Sequence, residues 1–300
     1  AVSAVVTMVR VGPLTTIQDE GRFGMLRHGI SASGPMDRAA FVAAGQWAGA
    51  GRGGLECTRA GLDLRLESGN CLVGFAGGDF VVRHNGAPQE WPGAVRLAPG
   101  DSLAVTPGRW GNYGYLRFGG DIAAMPVLGS IATNSRAGLG GLDGRALRAG
   151  DAIAIEGDSR TPMPPLAAEK AEGPIRVTWG LHADLFPAGL RQQFLTGHFV
   201  VSSRLDRMGV QLEDKERVFA DAALLSLASD AIMPGDVQIL GDGTPIVLMR
   251  DHQPTGGYPR IATVITADLD RFAQLRPGSD LTFAAVTVEH AQQLLRKGTG

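Results

Sequence analysis

The chain has 300 residues, with 28 basic and 30 acidic side chains and a formal net charge of −2. That balance excludes the clustered basic surface needed to neutralise nucleic-acid phosphates, and no run of eighteen apolar residues supplies a membrane-spanning helix. Only Lys170, Lys215 and Lys297 accompany 25 arginines, which removes a Gly-Lys-Ser/Thr phosphate loop and demotes Schiff-base and biotinyl-lysine chemistry.

The opening "AVSAVVTMVRVG" lacks the basic-then-apolar pattern of an export signal and reads as a first strand. A non-periodic stretch, "TTIQDEGRFG" from Thr15, then leads through "SASGPMD" into an alanine-rich helix with Pro35 near its first position and Asp37 in its first turn. Strands are expected at "LDLRL", "CLVGFAG", "FVVRH", "SLAVT", "YLRFGG" and "AIAIEG", with Asn85-Gly86 as a hairpin turn. Cys57 and Cys71 are too few for a disulfide framework and too isolated for a thiolate metal site, so both are expected to be reduced, packed thiols of a cytoplasmic protein. The proline- and alanine-rich "GDSRTPMPPLAAEKAEGP" reads as a linker. Beyond it come strands at "IRVTWG", "FVVSSR", "VQIL", "PIVLM", "IATVIT" and "LTFAAVTV", a "GDG" turn from Gly241, and short amphipathic helices at "LHADLFPAGLRQQFL", "TADLDRFAQL" and "VEHAQQLLRK".

One pattern recurs: "LAPGDSLAV" from Leu97, "LRAGDAIAI" from Leu147, "IMPGDVQIL" from Ile232 and, with one insertion, "LRPGSDLTF" from Leu275. Each is a Gly-Asp turn that feeds an alternating strand, and two copies fall in each half. The chain therefore reads as mainly β, with two similar β-rich domains at 1–160 and 173–300.

Four polar, glycine-bearing segments can carry chemistry. "TTIQDEGRFG" with "SASGPMD" places Gln18, Asp19 and Arg22 before a helix N-terminus that suits an anion, although by composition alone an Asp19–Arg22 ion pair and a Ser33 cap are the favoured explanation. "LGSIATNSRAGLGG" offers Ser130, Thr133, Asn134, Ser135 and Arg136, and backbone N–H groups for an anion nest, though a long polar loop between strands explains it as well. "SSRLDRMGVQLE", with Arg204, Asp206 and Arg207, reads first as a solvated charged turn. "RDHQPTGGYPR" sits between two apolar strands, where a loop can reach a ligand from a rigid base; its His252 reads as solvated. The sequence has no G-x-S-x-G elbow, no H-E-x-x-H and no paired histidines at ligand spacing, so serine-elbow hydrolases and zinc enzymes are demoted.

Together "TTIQDEGRFG", "SGPMD", "GLECT", "LGSIATNSRAG", "SSRLDRMGVQLE", "MPGDVQIL" and "DHQPTGGYPRIATVI" resemble the family of 5-oxoprolinase C-type subunits, also called allophanate hydrolase subunit 2 or the biotin-dependent carboxyltransferase domain. The resemblance spans nearly the whole chain in the family's order. It implies two tandem cyclophilin-like β-barrel domains with a few short helices. It also implies a B-type partner that resembles a kinase inhibitor, and an A-type partner of the lactam-utilisation kind. The implied reaction is ATP-driven opening of the 5-oxoproline lactam to glutamate, with Mg²⁺ accompanying the nucleotide. On these motifs the candidate catalytic groups are Gln18, Asp19, Arg22, Asp251 and Gln253. Candidates for binding substrate or nucleotide are Thr16, Ser33, Met36, Asp37, Glu56, Ser130, Arg136, Arg207, Met208, Thr255, Gly256, Gly257 and Tyr258. Asp19, Asp37 and Asp251 are the carboxylates that could hold Mg²⁺. Two departures bear on the substrate: "AAGQWAGAG" lacks the two asparagines usual after "SGPMD", and Pro254 stands where the family has a threonine. The resemblance leaves two alternatives, a carboxyltransferase component of a biotin-dependent urea carboxylase with a separate carrier, and a regulatory partner of a histidine-kinase inhibitor.

Overall fold

Alternation decides which way the first strands face. In Val2–Val11 (β1) the side chains of Ala4, Val6 and Met8 are buried, as are Leu62, Leu64 and Leu66 further on, while Asp63 and Arg10 pair outside at 2.9 Å. The computed structural model describes residues 1–165, 172–220 and 227–298. Its contacts divide into two units, Ala1–Phe23 with Ser33–Glu169, and Gly24–Ala32 with Lys170–Gly300. The expected linker lies partly outside the described residues. Its first part packs on the first unit, where Arg160 N–H donates to Gly49 O and Met163 N–H to Gln46 O.

After β1 the first unit adds β2 (Thr16–Gln18), β3 (Gly54–Thr58), β4 (Leu62–Gly69), β5 (Cys71–Gly77), β6 (Phe80–His84) and β7 (Ala87–Gln89). It continues with β8 (Gly93–Leu97), β9 (Ser102–Pro107), β10 (Tyr113–Phe118), β11 (Asp121–Ile122) and β12 (Ala152–Glu156). They form a seven-stranded sheet, β11-β12-β1-β4-β9-β6-β7, and a five-stranded sheet, β2-β3-β10-β5-β8. Both sheets contribute to one apolar core: Val6, Leu64, Val105 and Ile155 from the first, Ile17, Leu55, Phe75 and Leu116 from the second. Cys57 and Cys71 are free thiols in that core, and burial pushes them up to about 12 and about 11.

One helix crosses the five-stranded sheet, α1 (Arg38–Ala48), against β5 and β10. It starts later than expected: Asp37 is the N-cap, its carboxylate accepting from Ala40 N–H at 2.9 Å, so Pro35 lies outside the helix and Ser33 is not its cap.

In the second unit β13 (Ile175–Trp179), β14 (Phe199–Leu205), β15 (Gly209–Asp214), β16 (Asp230–Ala231) and β17 (Asp236–Ile239) are followed by β18 (Pro245–Leu248), β19 (Thr255–Gly256), β20 (Arg260–Val264), β21 (Asp280–Leu281) and β22 (Phe283–Ala285). Eight of these form one sheet, β21-β14-β15-β18-β17-β20-β13-β22, and β16 pairs with β19 separately. The two edge strands of the large sheet are consecutive in the chain, parted only by Thr282, whose carbonyl accepts from Ile175 N–H at 2.9 Å. A sheet whose edges are one residue apart is nearly closed on itself, which is why "LTFAAVTV" breaks into two strands. Phe194 stacks on Phe283 at 4.6 Å, with Phe199 and Phe219 beside it. The expected helix at "LHADLFPAGLRQQFL" is split at Pro187 into a short 3₁₀ turn and α2 (Ala188–Thr196); α3 (Thr266–Ala273) and α4 (Val288–Gly298) follow. The fold is mainly β, with barrel-like sheets and four α-helices among the described residues, none long and apolar enough to cross a membrane.

The recurrent Gly-Asp turns explain much of this order. Gly100, Gly150, Gly235 and Gly278 all take a left-handed φ between 86° and 95°. In the first three the aspartate carboxylate accepts from the N–H three residues back: Ala98, Arg148 and Met233. The glycine N–H groups then reach a neighbouring strand, at Leu66 O, Met8 O, Leu248 O and Val201 O respectively. Ala98 N–H, Asn85 and His84 together hold the Asp101 carboxyl down at about 2.

A carboxyl depressed in the folded state stabilises above its unfolded value, near 3.9, and loses that contribution as pH falls through its folded value of about 2. Asp101→Asn is therefore expected to lower the urea midpoint at pH 6, with the gap from wild type closing between about pH 4 and pH 2. A gap that persisted unchanged at pH 2 would contradict the assignment.

Candidate functional site

In the first unit the "SGPMD" segment is held by its own backbone. Gly34 N–H donates to Gln18 Oε1 at 3.1 Å, Met36 N–H to Glu56 Oε2 at 2.8 Å, and Asp37 N–H to Tyr115 Oη at 2.8 Å. Tyr115 Oη in turn donates to Glu56 Oε2 at 2.8 Å. Glu56 and Tyr115 face each other across the β3–β10 ladder and are fully buried, and burial pushes the phenol well above its usual value. The segment cannot relax without breaking these bonds.

Its residue Ser33 carries the cost. It is fully buried with φ at 58°, a left-handed conformation unfavourable for a side chain. Its hydroxyl has no hydrogen-bond partner among the described residues. Gly34 follows at φ 85°, and a Cβ there would lie 2.9 Å from Glu20 O.

Gln18 joins this segment to the "LGSIATNSRAG" loop. Its Nε2 donates to Thr16 Oγ1 at 2.9 Å and to Thr133 O at 3.1 Å, so the whole amide is spent on positioning. Asp19 accepts from Gly21 N–H, Ser130 Oγ and Ile131 N–H, and Ser130 Oγ also accepts from Ala132 N–H. Arg22, 2% exposed, donates to Ala132 O. Thr133 is buried, and its Oγ1 has no partner among the described residues. Two buried hydroxyls, Ser33 and Thr133, thus sit on loops tied by one amide. Arg136 lies elsewhere, exposed at the tip of the same loop.

In the second unit the expected solvated turn is only half so. Arg204 and Asp206 are exposed, but Arg207 is buried and grips Asp251 with two bonds, Nε to Oδ2 at 2.8 Å and Nη2 to Oδ1 at 3.1 Å. Asp251 N–H also donates to Arg207 O. The pair pins "RDHQPTGGYPR" to the turn that carries Met208. His252, expected to be solvated, is 4% exposed; its Nδ1 lies 2.6 Å from Gln253 O, and burial lowers its pKa. Gln253, Gly256 and Gly257 are half-buried, while Thr255 and Tyr258 are exposed. Residues missed by sequence reasoning include Tyr115, whose signal was a phenol facing Glu56 of "GLECT", and Gln238, a lone amide within the buried strand "VQIL".

No cluster of three or more His, Cys, Asp or Glu suited to a metal exists among the described residues. The three carboxylates expected to hold Mg²⁺ are committed elsewhere: Asp19 to three donors, Asp37 to the helix cap and Asp251 to Arg207. That donor set does not fit a resident Mg²⁺ ion.

Residues 28–285 match the family described as carboxyltransferase domain, subdomain A and B. The chain is 32% identical over 296 residues to the C-type subunit of 5-oxoprolinase from Escherichia coli strain K12, covering 95% of this chain and 92% of that protein. The corresponding protein of Haemophilus influenzae is 34% identical over 289 residues, covering 94% and 91%. The crystal structure of the Kluyveromyces lactis urea amidolyase superposes with a TM-score of 0.87 at 26% identity over 99% of this chain, which spans 20% of that longer one.

Two substitutions separate a segment held for structure from a hydroxyl held for another purpose. Tyr115→Phe removes the donor to Glu56 and the acceptor of Asp37 N–H, and is expected to cost about 1–3 kcal/mol in urea denaturation. Ser33→Gly relieves the left-handed backbone and is expected to leave stability unchanged or raise it by about 1 kcal/mol. Equal losses in both would place Ser33 among the structural residues.

Proposed function

The chain belongs to the carboxyltransferase-domain family of subdomains A and B that includes the C-type subunits of 5-oxoprolinase, and we propose that it is itself the C-type component of an ATP-dependent 5-oxoprolinase. The observation that carries this reading is similarity along almost the full length of both proteins, 95% of this chain and 92% of its Escherichia coli relative. Designations of that kind belong to an assembly, so the reading includes a B-type and an A-type partner, and a cytoplasmic complex active only when assembled.

The chemistry asks for a division of labour. A lactam resists water because its amide is resonance-stabilised, and opening it requires activation of the carbonyl oxygen, stabilisation of the oxyanion that develops, and an oriented ring. ATP and Mg²⁺ are assigned to the partner subunits or their interface, since Asp19, Asp37 and Asp251 do not fit the metal. What this chain offers is binding and orientation. Ser33 and Thr133 can each donate to or accept from a polar ring atom, and Gln18 holds the two hydroxyls in register. Asp19 and Ser130 fix the second loop, which makes them positioning groups. Asp251 fixes Arg207, so the same role is assigned to it.

A second reading, carboxyl transfer to an amide nitrogen from a separate biotinylated carrier, is favoured by the superposition on urea amidolyase. The test is reconstitution with B-type and lactam-utilisation-type partners, measuring glutamate from 5-oxo-L-proline with and without ATP. ATP-dependent glutamate is expected, and Ser33→Gly is expected to lower kcat/KM at least tenfold while the complex still assembles. No glutamate from three folded subunits, with co-purification of a biotinylated protein, would favour the second reading instead.

A further inference from the structure

Two of the second unit's unpartnered buried donors lie side by side on its large sheet. Gln238 on β17 and Arg260 on β20 are antiparallel ladder partners, which puts both side chains on one face of the sheet. Gln238 is 1% and Arg260 7% exposed. Gln238 Nε2 and Arg260 Nε have no hydrogen-bond partner among the described residues. Donors hidden from water without an acceptor are uncommon, and a pair at neighbouring positions calls for an acceptor that both can reach.

Both side chains reach the same two-stranded flap. Arg260 Nη2 donates to Asp230 Oδ2 at 2.8 Å, and Asp230 is the ladder partner of Gly256. A Cβ on Gly256 would lie 2.6 Å from Gln238 Nε2 and 3.2 Å from Ile232 Cδ1. The missing side chain at 256 is what allows the Gln238 amide to come level with the loop backbone. Gly256 has no positive φ in this structure, so close approach, and not backbone freedom, accounts for the glycine.

Charge selects the class of acceptor. The Arg260 guanidinium already meets two carboxylates, Asp230 at 2.8 Å and Asp236 at 3.4 Å, and its Nη1 also donates to Ala231 O at 2.7 Å. His182, whose Nδ1 accepts from Arg260 N–H, has its pKa lowered chiefly by burial and so adds no cation near neutral pH. One cation between two carboxylates disfavours a phosphate or carboxylate oxygen seated on these two donors. The two unpartnered donor nitrogens suit a neutral oxygen, and an amide oxygen is a strong neutral acceptor. We propose that Gln238 Nε2 and Arg260 Nε bind the carbonyl oxygen of an amide or lactam that enters past Gly256. Only the choice of a lactam as probe rests on the oxoprolinase reading; the donor pair and the charge argument do not.

The test uses the full ¹⁵N-labelled chain and four probes: 5-oxo-L-proline, 2-pyrrolidinone, L-proline, which has the ring without the carbonyl, and inorganic phosphate. Both lactams are expected to shift the Gln238 side-chain amide and Arg260 Nε–H resonances, whereas L-proline and phosphate leave them in place. Gln238→Met keeps the volume but removes the donor, and is expected to weaken lactam binding about tenfold without lowering the melting temperature. Gly256→Ala is expected to abolish the shifts. A response to phosphate, no response to either lactam, or wild-type lactam binding by Gln238→Met overturns the proposal. In the reconstituted complex, normal turnover with an unchanged KM in Gln238→Met would sink the donor pair while sparing the oxoprolinase reading. Lactam-dependent shifts without any glutamate would do the reverse.

Discussion

The hydrogen bonds to the buried Glu56 carboxylate are the constraint on which the first unit's candidate site depends. The carboxylate is wholly removed from water on β3, where an ion without partners would be prohibitive, and Met36 N–H and Tyr115 Oη both donate to it. Tyr115 then accepts Asp37 N–H, so a single buried acceptor fixes the segment before α1 at two successive backbone positions. Asp37, placed in this way, caps the helix. The strain at Ser33 follows from the same anchoring, because Gly34 is drawn to Gln18 on one side and Met36 to Glu56 on the other, and the backbone between must turn through the left-handed region.

The Gly-Asp turns act at a larger scale. In three of them the exchange is reciprocal: Gly100 N–H meets Leu66 O while Leu66 N–H meets Asp101 O, Gly150 and Asp151 do the same with Met8, and Gly278 and Ser279 with Val201. Met8, Leu66 and Val201 all border register shifts in their strands. A turn that docks on a bulge sets both the direction of the next strand and the extra twist that a curved sheet needs. Recurrence of this device in both units gives physical content to the repeat seen in the sequence. The copy at Gly235 differs in joining two strands, through Leu248 O and Val264 N–H.

Strands with clear alternation or dense apolar content were legible from sequence. "CLVGFAG" and "FVVRH" coincide with β5 and β6, and Asn85-Gly86 makes the hairpin between β6 and β7 with φ of 50° and 84°. The short strands β2, β11, β16 and β19 were not, since two or three residues carry no period and exist only because a neighbour pairs with them. For the candidate site, composition marked the polar loops but not the state of each group in them. Nothing local distinguishes Arg207, buried against a carboxylate 44 residues away, from Arg204, which faces solvent three residues earlier. His252 misled for the same reason: a histidine in a polar loop reads as exposed, and its burial is imposed by tertiary packing.

A pattern runs through the polar interior of both units. The carboxylates a chemist would first select, Asp19, Glu56, Asp236 and Asp251, are each met by donors or cations from the chain itself: Ser130 and two N–H groups, Tyr115 and Met36, Thr263 and Met233, and Arg207. Among the described residues, the buried groups with an unpartnered atom include the hydroxyls of Ser33 and Thr133 and the N–H donors of Gln238 and Arg260. Committed carboxylates shape loops, and uncommitted donors receive oxygen atoms. Hydroxyls and N–H groups left in this state are suited to hold a neutral oxygen and to stabilise charge that develops on it.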